Sequence, residues 1–190
     1  MAASSERVIL AVPMPEDQGR TADTLQSGSG RLESIQISNG GVPKKAVAGP
    51  VEVTWNGISG DRQRDLRFHG GPDRAVCLFS RELIEVLKTQ GHPIDSGTTG
   101  ENLTISGLNW SLVQTGSRLI VGEAALEITK PAHPCQNIGG SFADGDFSRL
   151  SARIHPGQSR MYARVLTPGM IRVGDSVTCV PVAQNGPDQN

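Results

Sequence analysis

The chain has 190 residues and a formal net charge of −1, so it has no overall field to attract nucleic acid or an anionic membrane. Apolar residues make up 36% and aromatic residues 4%, and the 23 glycines and 12 prolines favour many short strands over a helical bundle. Its three widely spaced cysteines give no disulfide framework, and neither a signal peptide nor an apolar run of about 18 residues occurs. We therefore expect a cytoplasmic protein with reduced thiols that binds neither nucleic acid nor membrane.

In chain order, the first predicted element is a strand at residues 6–12. It is followed at 13–30 by a polar run rich in Gly, Ser, Thr, Asp and Gln, which predicts a flexible loop. We therefore expect an N-terminal strand and loop at residues 1–30, one folded domain at 31–182 and a polar tail at 183–190.

Within the domain, alternating or continuous apolar runs predict a series of short strands. These lie at residues 31–38, 51–55, 75–79, 103–106, 112–113, 118–121, 124–129, 160–166 and 176–182. Ser80 is placed to cap a helix over residues 81–90, and residues 147–154 predict one or two further helical turns. So many strands beside one clear helix predict a mostly β protein with a closed or nearly closed barrel, because closure removes sheet edges.

Cys135 lies in the stretch that is most suggestive of chemistry. It follows the strand predicted at 124–129, and Pro131 and Pro134 stiffen the intervening turn. The thiol is therefore expected to emerge just past a strand end, with Gln136 and Asn137 able to cap the next element. The structural alternative is that Cys135 is a small apolar filler under a turn.

Three further clusters fall in loops beside predicted strands, at residues 69–74, 100–102 and 160–162. Each has a structural alternative: the glycine pair at 70–71 makes a turn, the Glu-Asn pair at 101–102 cross-links backbone, and Tyr162 is a core aromatic.

A cysteine hydrolase is one functional alternative, with Cys135 as nucleophile and His69 or His133 as base. Zinc is disfavoured because Cys77 and Cys179 both lie inside apolar strand patterns.

Taken together, four motifs resemble the MOSC domain, which is found at the C-terminus of molybdenum-cofactor sulfurases and in free-standing bacterial proteins. They are FHGGPDRAV at 68–76, TGENL at 99–103, KPAHPC at 130–135 and YARVL at 162–166. The match runs in order over about residues 31–182, and the chain is most similar to the short, stand-alone bacterial branch. Better-known members of that branch protect against N-hydroxylated base analogues.

The resemblance implies a β-barrel-like fold that binds molybdenum cofactor, with the family's cysteine falling on Cys135. A thiolate suits either a thiophilic metal such as molybdenum or a transferable persulfide sulfur. The residues then expected at the cofactor are Arg67, Gly70, Gly71, Asp73, Arg74, Glu101, Asn102 and Tyr162.

The donors expected at the pterin phosphate are Arg74, either Arg62 or Arg67, and the backbone of the glycine pair at 70–71. Glu101 and Asn102 either hydrogen-bond a pterin edge or brace the loop of Cys135.

The function implied by the resemblance is reduction of small N-hydroxylated substrates, with His69 or His133 delivering a proton. Neither the N-terminal barrel of the amidoxime-reducing members nor the pyridoxal-phosphate desulfurase domain is evident. We therefore expect no pyridoxal phosphate in this chain, and electrons from an external reductase.

Two alternatives stay open. One is a non-catalytic carrier that passes the cofactor or a persulfide sulfur to a cofactor-handling enzyme. The other is a barrel that binds a different phosphorylated ligand and uses Cys135 structurally.

Overall fold

The chain folds into a β-barrel with an α-helix on its outside. A computed structural model describes residues 28–63 and 70–182. The strand predicted at 6–12, most of the predicted loop at 13–30 and the tail at 183–190 lie outside the described residues.

The strands of the described residues are β1 (Gly28–Ile37), β2 (Lys45–Ala46), β3 (Val51–Thr54), β4 (Gly57–Ile58), β5 (Val76–Ser80), β6 (Leu103–Ser106), β7 (Arg118–Val121), β8 (Ala124–Pro131), β9 (Met161–Thr167), β10 (Gly169–Ile171) and β11 (Ser176–Val180). Seven of them form a ring in the order β1-β11-β7-β8-β9-β5-β6, which closes because β1 pairs with both β11 and β6. β2 extends from β1, and β10, β3 and β4 form a second, smaller sheet. The predicted mostly β barrel is confirmed.

In the ring, β5 and β6 are parallel, whereas the other pairs are antiparallel. Helix α1 (Arg81–Thr89) supplies the crossover that a parallel pair needs. It begins as predicted, with the Ser80 hydroxyl accepting a 3.3 Å hydrogen bond from the Leu83 amide. Ile84 and Leu87 are buried on its inner face, and every residue of β5 is buried, as expected for a strand covered on both faces.

Short 3-10 helices make up the other helical elements of the described residues. They span Pro72–Arg74, Trp110–Leu112, Gln136–Ser141 and Phe147–Leu150. The last one confirms the helical turn predicted from residue 147. None of the helices in residues 28–63 and 70–182 has the length and apolar character needed to cross a membrane.

Several sequence-based assignments differ from the structure, and the first is the predicted loop at 13–30, whose last three residues already belong to β1. The strand predicted at 112–113 is wrong: the Asn109 side chain accepts a 3.1 Å bond from the Ser111 amide and starts a 3-10 turn there. β8 runs on to Pro131, which is still paired with Met161 because a proline loses only its N–H donor. Residues 169–171, between the strands predicted at 160–166 and 176–182, form β10, which pairs with β3.

The register of the barrel brings the predicted site segments together at one end. Cys77 of β5 is paired with Tyr162 of β9, and Tyr162 is paired with Lys130 of β8. Asn102, just before β6, donates its backbone N–H to the Cys77 carbonyl over 2.7 Å. Segments that are far apart in sequence therefore converge around the end of β8, where Cys135 follows.

Candidate functional site

A cavity of about 490 Å³ opens at this end of the barrel, beside Cys135. Its wall includes two thiols, Cys77 and Cys135, together with Tyr162 and His133. The charged residues that line it in the described part of the chain are all basic: Lys44, Arg62, Arg74 and Arg160. Its size is typical of a small-molecule site, and its charge favours an anionic ligand.

Cys135 is held by the segment that follows β8. The Ala132 amide donates a 2.8 Å bond to the Arg160 carbonyl, and the Ser159 hydroxyl oxygen lies 3.3 Å from the Ala132 carbonyl oxygen. Cys135 then starts the 3-10 helix Gln136–Ser141, whose Ile138 amide donates to the Cys135 carbonyl. The cysteine is partly exposed at the cavity wall, so the thiol emerges past a strand end as expected.

His133 precedes Cys135 by two residues and is exposed at the edge of the same cavity. Two further candidates from the sequence, His69 and Arg67, lie outside the described residues.

The glycine pair at 70–71, expected at the cofactor, does not line the cavity, and of residues 70–74 only Arg74 does. Gly70 is buried, whereas Gly71 is exposed, with φ 91° before the 3-10 helix Pro72–Arg74. Arg74 lines the cavity, and its backbone carbonyl accepts a 3.1 Å bond from the Gln63 side chain. Asp73 is exposed, does not line the cavity and lies 3.3 Å from Arg164.

Asn102 fills the back of the site through three side-chain bonds. Its carbonyl oxygen accepts from the Cys77 amide over 3.1 Å, and its NH2 group donates to the Gln36 carbonyl over 3.2 Å and to Asp61 over 2.9 Å. Asp61 in turn forms a 2.5 Å ion pair with Lys44. Asn102 therefore braces the wall beside Cys77, since its three side-chain bonds go there and not to the loop of Cys135, and it also borders the cavity.

Glu101 is completely buried and does not line the cavity. Its two carboxylate oxygens accept from the Gly97 amide over 2.6 Å and the Thr99 hydroxyl over 2.7 Å. It holds the 97–101 loop in shape, and that loop presents the Thr99 carbonyl to Arg160.

Burial sets the ionisation of two groups in the wall. It raises the pKa of the Cys77 thiol to about 11, in spite of the opposing charge of Arg160. It also raises the pKa of Tyr162 to about 12. Both groups therefore stay protonated at neutral pH, and the Tyr162 hydroxyl is a hydrogen-bond donor there.

A second hollow, of about 510 Å³, lies on the other side of the thiol. It shares Arg74, His133, Cys135 and Tyr162 with the first cavity, and its own wall comes from a short basic and apolar run at residues 130–134. Cys135 therefore lies where two hollows meet.

Some lining residues were missed by the sequence analysis. Arg160 was noted in a loop cluster but given no role, and Cys77 was treated as core because it lies inside an apolar run. The basic character of residue 160 just before a β-strand was the available signal. Lys44 had no local signal, because only tertiary folding brings its loop to the site.

Known proteins with related sequences point to one family. The family model of the MOSC domain matches residues 65–178. Protein YiiM of Escherichia coli is 31% identical over 134 residues, which cover 68% of this chain and 59% of YiiM. YflK of Bacillus subtilis, an uncharacterized protein, is 29% identical over 147 residues, which cover 77% of this chain and 66% of YflK. The chain thus spans less than two thirds of the length of these curated relatives.

A solved structure shows the same fold. The crystal structure of YiiM from Geobacillus stearothermophilus superposes with a TM-score of 0.62 at 26% sequence identity. The superposition covers 80% of this chain and 75% of that one.

Proposed function

The chain belongs to the MOSC domain family, and from this premise we propose that it binds molybdenum cofactor through Cys135 and reduces N-hydroxylated compounds. The electrons come from a separate donor protein. The observation that carries the proposal is the position of Cys135, on the wall of a cavity whose described charged residues are all basic.

The donor set of the cavity fits such a cofactor. The thiol of Cys135 is a soft ligand for a thiophilic metal. Arg62, Arg74 and Arg160 line the same wall and provide forked donors for an anionic phosphate. Asn102 borders the cavity with an amide that is already fixed by three bonds, which gives a rigid wall against a flat heterocycle.

When bound, the cofactor supplies oxygen-atom and electron transfer at its metal. Cys135, which lines both hollows at their junction, is the residue that would hold the metal of the cofactor. The second hollow leaves that junction open to a small substrate, with Pro131 and Pro134 giving an apolar wall that displaces water.

Two side chains are placed to handle protons at this junction. His133 borders both hollows and is the residue we propose to hold the proton that the product receives. Tyr162 borders both as well, and its raised pKa of about 12 keeps its hydroxyl protonated as a donor that orients the N–O group.

A carrier function is the second candidate, and the partial exposure of Cys135 favours it. A thiol that is open on two sides suits handing a cofactor or a persulfide sulfur to another protein.

Metal analysis of the full chain tests the proposal. We expect near-stoichiometric molybdenum in protein purified from a host that makes molybdopterin, and its loss in Cys135→Ser. Cys179→Ala is the matched control, because Cys179 is buried in β11 and does not line the cavity. Wild-type protein without molybdenum, or a Cys135→Ser variant that retains it, contradicts the proposal.

Activity separates the two candidates. With a competent reductase, the metal-loaded protein is expected to reduce benzamidoxime or 6-hydroxylaminopurine. Bound metal without reduction supports the cofactor carrier, and a mass increase of one sulfur atom on Cys135 without metal supports the sulfur carrier.

A further inference from the structure

Arg160 carries a buried charge that has no counter-ion among the described residues. We propose that Arg160 is the anion-binding residue of the cavity and that its ligand group is a phosphate monoester. The inference rests on the proposed function in taking this cavity as the ligand site, and it adds where the anionic end of the ligand lies.

The surroundings of Arg160 carry this assignment. The residue is only 5% exposed, yet it borders the cavity. Its Nη1 donates to the Thr99 carbonyl, and its Nε has no hydrogen-bond partner. No carboxylate in residues 28–63 and 70–182 lies within ion-pair distance of its guanidinium group.

Lys44, on the same wall, shows the usual arrangement. Its ammonium group is nearly as buried, with 10% of the side chain exposed, but it is neutralised by Asp61 at 2.5 Å. A buried charge is costly unless it is paired, and a buried N–H is costly unless it is bonded. Arg160 has both deficits, and an oxyanion in the cavity removes the first of them by supplying a counter-charge.

The chemistry of the guanidinium group selects the ligand class. It has five N–H donors in a planar fork, and a phosphate or carboxylate can accept two of them side by side. Arg62 and Arg74 line the same cavity, so the site favours a doubly charged group over a single carboxylate. A phosphate monoester meets this requirement.

The backbone of Arg160 links this anion site to the thiol. Its carbonyl accepts from the Ala132 amide over 2.8 Å and from the Ser159 hydroxyl over 3.0 Å, just before the segment that carries Cys135. Its side chain reaches across to Thr99 on the opposite loop. The two ends of a bound ligand are therefore held by one pair of neighbouring strands.

Calorimetric titration of the metal-free full chain with inorganic phosphate tests the inference. We expect saturable binding by wild type and a loss of affinity of about 10- to 100-fold in Arg160→Met, which keeps the length of the side chain and removes the donors. Arg160→Lys keeps the charge and a donor for Thr99 but loses the fork, and we expect about a 10-fold loss. Arg164→Met is the control, because Arg164 is exposed and pairs with Asp73 and Glu127 outside the cavity.

If circular dichroism shows that Arg160→Met does not fold, the titration of Arg160→Lys decides. Wild-type affinity for phosphate in the folded lysine variant, or no binding by wild type, overturns the inference. The titration needs neither metal nor pterin, so it is independent of the molybdenum measurement on Cys135→Ser. Phosphate binding that depends on Arg160 in a protein that takes up no molybdenum supports the anion site and contradicts the proposed function.

Discussion

Asn102 donates a 2.9 Å hydrogen bond from Nδ2 to Asp61 Oδ2, and this bond joins the start of a barrel strand to the loop that forms the cavity wall. The same oxygen of Asp61 receives the Lys44 ammonium group at 2.5 Å. The other oxygen, Oδ1, accepts from the Ser38 amide over 2.8 Å. An amide, a carboxylate and an ammonium group thus set the shape of the wall behind Cys77.

Replacing Asn102 is expected to destabilise the fold. Asn102→Ala removes three bonds from buried or half-buried partners and is expected to lower the free energy of unfolding by roughly 3 kcal/mol. Asn102→Asp places a second carboxyl group beside Asp61, so we expect a larger loss at neutral pH than at acidic pH. Urea unfolding at two pH values measures both. Equal stability of the two variants at every pH contradicts this role.

The buried carboxyl group of Glu101 is expected to control the 97–101 loop. Glu101→Gln turns an NH2 group toward the Gly97 amide or the Thr99 hydroxyl, both of which are donors in the structure. We expect a loss of about 1–3 kcal/mol in unfolding free energy and weaker phosphate binding, since this loop holds Arg160. Glu123→Gln, at an exposed turn, is the control for the stability measurement. Phosphate affinity that is unchanged in Glu101→Gln argues against a link between the loop and the anion site.

Gly97 allows two backbone segments to approach each other beside the cavity. It has φ +82°, and a Cβ there falls 2.5 Å from the Lys44 carbonyl oxygen. We expect Gly97→Ala to cost about 3 kcal/mol or more, from clash and strain together. Gly157 has φ +77° with nothing within 4 Å, so Gly157→Ala should show the strain alone, about 1 kcal/mol. Thermal or urea unfolding of the two variants measures this difference. An equal loss of unfolding free energy in Gly97→Ala and Gly157→Ala shows that the close approach to the Lys44 carbonyl adds no cost.

The buried thiol of Cys77 predicts that stability falls in alkali. Its pKa rises from 9.0 to about 11 on folding, so the folded state holds the proton longer than the unfolded state. The contribution of the protonated Cys77 thiol to the free energy of unfolding is therefore fully present below pH 9 and is lost as the pH rises toward 11. We expect the free energy of unfolding to fall by about 1 kcal/mol between about pH 8 and pH 10. Burial also raises the pKa of Cys179, and Tyr162 titrates at higher pH, at about 12.

Urea midpoints at the two pH values check this prediction. The decrease in urea midpoint from pH 8 to pH 10 is expected to be smaller in Cys77→Ala than in wild type. It is expected to be smaller still in the double variant that also carries Cys179→Ala. A Cys77→Ala protein with the full wild-type drop shows that this thiol does not titrate as proposed.

His133 is expected to affect turnover without affecting metal content. His133→Gln keeps a polar side chain at the junction of the hollows but cannot deliver a proton, so we expect kcat for an amidoxime to fall about 100-fold. The molybdenum content of this variant is expected to stay at the wild-type level. His69→Gln is the companion variant. Wild-type turnover in His133→Gln together with a loss in His69→Gln reassigns the role.

Much of the barrel follows from local sequence patterns. The strands at 118–121 and 103–106 lie where the apolar runs predict them, and α1 starts at its Ser80 cap. The errors occurred where side chains outweigh strand propensity or where pairing is distant. Asn109 starts a 3-10 turn where residues 112–113 looked extended, and β10 exists only because β3 lies beside it.

The sequence by itself determined the fold class, the position of Cys135 past a strand end and the candidate residues around it, because strand periodicity and turn chemistry act over a few residues. Only the tertiary structure decided which side chains share a cavity. It brought Arg160 and Lys44 to the same wall and paired Lys44 with Asp61, whereas Arg160 has no counter-ion within residues 28–63 and 70–182. Burial and charge compensation depend on groups that are distant in the chain, and no local pattern of residues encodes them.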